Sequence, residues 1–200
     1  MRAVVAATPL ALLAATAASA EPAYLPLTRS AIVALAADTL QSKPLKAEPV
    51  TLPPEQRSGL APGDTVWQIT AAPLPVEIFL AGQGENIDAL HVYYPVVNAK
   101  REEDARISAL LSALFKDIYP NWPDAGNWPR TSAIASWNTS PLMSKRTPAD
   151  PNDLIIRKTV DGITSATIGV PPDLFVYSVT TRAQCVPDAH RGNPFQRVVC

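Results

Sequence analysis

Between residues 99 and 118 the apolar side chains recur at a helical interval, with Ile107, Leu110, Leu111, Leu114, Phe115 and Ile118 on one stripe. Asn98 ahead of the stripe suits an N-cap. Glu102, Glu103 and Asp104 lie near the positive end of the helix dipole, while Lys100 and Arg101 work against that placement. At roughly 2 kcal/mol per large apolar side chain, burial of the stripe contributes on the order of 12 kcal/mol before conformational entropy. This helix is therefore the expected centre of the core. A shorter stripe of Ile32, Leu35, Ala36 and Leu40 follows Thr28 and Ser30, either of which can cap it, and Lys43-Pro44 ends it. A short helix is also expected across 131–137.

Elsewhere the polar and apolar positions alternate or fall in short apolar runs, which predicts strands at 65–70, 76–81 and 87–94. Pro73-Leu74-Pro75 and Gly82-Gln83-Gly84-Glu85-Asn86 supply turn chemistry between them. The closing third repeats this theme. Strands at 154–160 and 163–170 flank Asp161-Gly162, a preferred two-residue hairpin turn in which both central positions need positive φ. Pro171-Pro172-Asp173 then turns into a strand at 174–181, and Thr167, Ser178, Thr180 and Thr181 suggest a partly solvated sheet surface. Residues 44–64, with five prolines, read as an irregular crossing that includes a short strand at 50–52. Short turns between successive strands favour antiparallel pairing. The expected class is α+β: an antiparallel sheet of about six strands in two sets of three, with two main helices packed on one face. The order reads as two copies of an α-β-β-β unit, although the likeness of 78–94 to 166–181 is too faint to count as a repeat.

The front of the chain follows another pattern. Arg2 precedes an uncharged run over residues 3–17, and Ala18-Ser19-Ala20 fits the small-x-small site of a signal peptidase. The run is shorter than the roughly 20 residues that span a bilayer, and Pro9 interrupts it. The expectation is a signal peptide over 1–20 and a single domain over 21–200, located in the periplasm or outside the cell, with no transmembrane segment after cleavage. Export changes the reading of the 2 cysteines, Cys185 and Cys200, which in an oxidising compartment are expected to close the C-terminal segment as a disulfide. In the chain-entropy model such a loop gives about 3 kcal/mol.

A chain of 200 residues with 47% hydrophobic side chains can bury one core, and a net charge of −1 with dispersed basic residues does not favour nucleic acid. Metal chemistry finds little support, because His91 and His190 are far apart and lack neighbours at ligand spacing. Asp150, Asn152 and Asp153 read as a solvated turn. Gly82-Gln83-Gly84 lacks the rest of a phosphate loop, so no cofactor is expected. No G-x-S-x-G or S-x-x-K pattern activates a serine. His91 falls on the strand face opposite Leu90, Val92 and Tyr94, and could act as a base only if a serine and an acid converge on it in space. One constellation points to binding. Tyr119, Trp122, Trp128 and Trp137 crowd a Pro/Asn/Asp-rich stretch, where exposed rings can stack on sugars or dock a peptide, and buried ones would cap the core helix. The expected function is an exported, non-enzymatic accessory or binding protein of the cell envelope, with a protein or an envelope polymer as partner. The alternatives are a small hydrolase using His91, and a proteinaceous inhibitor of a secreted enzyme.

Overall fold

Helix α1, Arg29–Leu40, starts where its cap requires: the Thr28 hydroxyl accepts from the Ala31 N–H at 3.2 Å. Gln41, in the left-handed region, closes the other end. The computed structural model describes residues 23–41, 44–52, 60–95, 101–139, 155–170 and 174–182. The signal-peptide region, the Asp150-Asn152-Asp153 turn, His190 and both cysteines lie outside the described residues.

After α1 come strands β1 (Glu48–Val50), β2 (Thr65–Thr70), β3 (Glu77–Gln83) and β4 (Asn86–Pro95). Helix α2 (Arg101–Ile118) carries the predicted stripe, and a 3-10 turn at Ala125–Asn127 leads into α3 (Trp128–Thr139). Strands β5 (Ile155–Val160), β6 (Ile163–Val170) and β7 (Leu174–Thr180) follow. Asp161 and Gly162 take φ of 50° and 77°, so the hairpin between β5 and β6 turns as its dipeptide predicts.

The fold is α+β, and the seven strands among the described residues form one antiparallel sheet in the order β1-β2-β3-β4-β7-β6-β5. The two sets of strands are joined because β4 pairs with β7, from Ala89↔Thr180 to Pro95↔Leu174. The added strand is β1, a three-residue edge strand two residues earlier than expected. All three helices cover one face. Ile32 and Leu40 of α1, the α2 stripe, and Trp128 and Ala133 of α3 pack against Trp67, Ile78, Leu80, Leu90, Val92 and Val179. Helix α3 is longer than expected because Pro129 occupies its first turn, where a missing N–H costs nothing. The alternate residues Val66, Phe79, Ala81, Ala89, Tyr93 and Val176 form a second cluster on the other face, with Val50, Leu52 and Leu60 against it.

The two inner hairpins share one register. Phe79 lies opposite His91 and Ala166 opposite Ser178, each partner displaced by the same 87 residues, and His91 itself pairs with Ser178 across the β4–β7 seam. A local two-fold relation therefore passes through His91 and Ser178. The relation is confined to these two hairpins: the same shift carries Arg29–Leu40 onto 116–127, across the end of α2 and the 3-10 turn, so it does not extend to an α-β-β-β repeat.

Candidate functional site

The structure divides the aromatic constellation. Tyr119 and Trp128 are buried and Trp122 is half-buried, all at the C-terminal end of α2. Trp128 stacks on Phe115 at 5.2 Å, and Trp122 meets Tyr119 edge-on at 5.4 Å. The Tyr119 hydroxyl bonds the Ser165 hydroxyl of β6, and burial pushes its pKa up to about 12. These three rings cap the core helix. Trp137 does not join them. It lies one helix further on, half-buried, with its ring 5.7 Å from that of Phe175 on β7.

Trp137 belongs instead to a groove of about 630 Å³ between α2 and α3. Leu111, Ala133 and Tyr177 give it an apolar lining, Phe175 and Trp137 form an aromatic wall, and Ile134 stands at the mouth with 52% of its surface exposed. Gly169 lets Phe175 lie against the sheet, since a Cβ there would meet the ring at 3.1 Å and the Ser136 hydroxyl at 3.3 Å. Two residues that line this groove each carry a polar atom that is buried without a hydrogen-bond partner among the described residues: the Tyr94 hydroxyl and Asp104 Oδ1. Arg130, exposed on α3, completes the lining with a cation. A concave apolar site with a few convergent polar groups and a volume within ~300–1,000 Å³ is the usual form of a small-ligand site.

The hydroxyls of β6 and β7 correct the expectation of a solvated sheet surface. Thr167, Ser178 and Thr180 are each 1% exposed or less. Ser132 on α3 bonds Thr167 at 2.8 Å, Ser136 accepts from the Gly169 N–H at 2.7 Å, and Thr180 donates to the Asp88 carbonyl at 3.1 Å. Short hydroxyls can be buried when each finds a partner, and here they fasten α3 and β4 to the sheet. His91 is buried as well. Its Nδ1 lies 2.8 Å from the Ser178 hydroxyl, its Nε2 has no partner among the described residues, and burial lowers its pKa to about 4. Each residue of the pair is 1% exposed, so a substrate carbonyl has no approach to the Ser178 oxygen. The pair works as a neutral strap across the β4–β7 seam.

A second polar cluster, which no local pattern announces, lies at one end of that seam. Arg182, just beyond β7, places one guanidinium nitrogen 2.5 Å from Asp64 at the entry to β2 and bonds Asp88 of β4 with another. Burial raises the Asp88 pKa to about 6; the nearby Arg182 charge opposes this and the Asp64 charge adds to it. For Asp64, burial pulls upward, but hydrogen bonds from Arg182 and the Ala61 N–H prevail and hold it below the usual range. Beside this clamp the Thr181 hydroxyl donates to the Ala23 carbonyl.

Compared with known proteins, the chain matches no family model, no curated protein and no solved structure. The site therefore rests on its own geometry. Of the residues singled out from sequence, Trp137 lines the groove. Tyr94, Asp104, Arg130, Ile134 and Phe175 carried no motif, because they come together from β4, α2, α3 and β7 only when β4 pairs with β7.

Proposed function

We propose that the protein is an exported, non-enzymatic binding protein of the cell envelope that holds its ligand in the α2–α3 groove. The observation that carries this reading is the groove itself: about 630 Å³, aromatic on one side, and lined by Tyr94 and Asp104, whose hydroxyl and Oδ1 are buried and unpartnered among the described residues. Polar atoms desolvated in this way cost stability unless an incoming group meets them. The leader-like pattern of residues 1–20 supports export.

The hydrolase reading has the His91–Ser178 contact on its side, but burial of both residues weighs against it. Two measurements test the proposal. N-terminal sequencing of protein recovered from the periplasm or medium should begin at Glu21; a chain confined to the cytoplasm and beginning at Met1 would defeat export. The apolar dye N-phenylnaphthylamine should bind saturably with a blue-shifted emission, and Ile134→Glu, at an exposed position, should weaken it several-fold. Dye uptake that Ile134→Glu and Trp137→Ala both leave unchanged would place the ligand elsewhere.

A further inference from the structure

Charges of both signs lie on facing helices of the groove. Asp104 projects from α2 with Oδ1 buried, and Tyr94, a residue only 7% exposed, lines the same cavity; neither Oδ1 nor the Tyr94 hydroxyl has a partner among the described residues. Arg130, on α3, forms no ion pair among the described residues. Between these helices the surface is apolar and aromatic, through Ile134, Trp137 and Phe175.

We propose, resting on the reading of this groove as the ligand site, that it takes a short apolar peptide with both ends free. The peptide's α-ammonium meets Asp104 and Tyr94, its α-carboxylate meets Arg130, and its side chains lie on the aromatic wall. An ammonium carries three donors, enough to satisfy both orphaned oxygens at once. A guanidinium fork matches a carboxylate. Three extended residues span roughly 10 Å, so a di- or tripeptide is of a size that a groove of about 630 Å³ can hold. A purely aliphatic ligand of the same volume would leave Asp104 Oδ1 desolvated and unpaired, and a neutral sugar would leave the cation unused.

The test is calorimetric titration of the full mature chain with tri-leucine, with its N-acetyl form and with its C-terminal amide. Tri-leucine should bind one to one. N-acetylation and Asp104→Asn should each weaken it about tenfold, the loss expected for a charge-assisted hydrogen bond, and the two together should lose no more than either alone. Amidation and Arg130→Gln, which act at an exposed rim, should each cost only about threefold. Equal binding of the three peptides, or an Asp104→Asn variant that is folded by circular dichroism and binds as wild type, would overturn the proposal. If N-phenylnaphthylamine enters the groove and tri-leucine does not, the peptide class is wrong while the groove stands as a site. If neither binds, both readings fall.

Discussion

Acidification sets the buried, neutral His91 against the fold. Its pKa drops from 6.5 to about 4 because burial removes the solvent that would stabilise an imidazolium. The unfolded chain therefore binds a proton in this window that the folded chain does not, and stability contributed at neutral pH is lost as pH falls. A tenfold difference in proton affinity between the two states is worth about 1.4 kcal/mol, so the loss from this group reaches about 2 kcal/mol at pH 5 and about 3 kcal/mol at pH 4. Asp88 acts with the opposite sign. Its pKa is raised to about 6, so its contribution is full below pH 3.8 and fades as pH rises through 6, which flattens the wild-type profile. Comparison with His91→Asn isolates the histidine, since both proteins keep Asp88 and Asp64. An asparagine can still bond Ser178, and the cavity it leaves gives a pH-independent offset. Urea unfolding followed by tryptophan fluorescence from pH 7.5 to 4 should show the wild type losing about 3 kcal/mol relative to the variant. A constant difference across that range would refute the assignment of His91 as a neutral strap.

Two further outcomes follow from the fold. Arg182→Met leaves Asp64 and Asp88 facing each other without their shared cation, and should cost about 3 kcal/mol in denaturant unfolding at pH 7, near the lower end for a broken buried pair because Arg182 keeps 16% exposure. Adding Asp88→Asn to that variant should recover part of the loss; no recovery would mean that the clamp acts through packing alone. At Gly162, φ of +77° puts a β-branched side chain in a forbidden region, so Gly162→Val should lower stability by about 1–3 kcal/mol and reduce the melting temperature, whereas unchanged melting would contradict the turn.

What could be read in advance was whatever neighbours in sequence decide. The α2 stripe, the Asp161-Gly162 turn and the alternation that puts Leu90, Val92 and Tyr94 opposite His91 are local patterns, and each appears in the structure. The β4–β7 pairing joins residues about ninety positions apart, so nothing local announces it, and everything that depends on it stayed hidden. That includes the burial of Ser178 and Thr180, the Arg182 clamp and the groove. Thr167 misled for another reason: a hydroxyl suggests solvent until its partner, Ser132, is known to lie 2.8 Å away on α3. Trp137 could be flagged by its type, but its separation from Trp122 and Trp128 depends on the length of α3 beyond Pro129.

The seam between β4 and β7 also bears on how the chain is made. The meanders β1–β4 and β5–β7 each close through contacts between sequence neighbours, whereas the seam must wait for distant segments to meet. Until it shuts, each half exposes a bare strand edge flanked by Val92 and Tyr93 or by Val176 and Val179, able to add a strand from another copy. Late closure makes the newly synthesised protein most prone to aggregate along the edges that the finished sheet conceals.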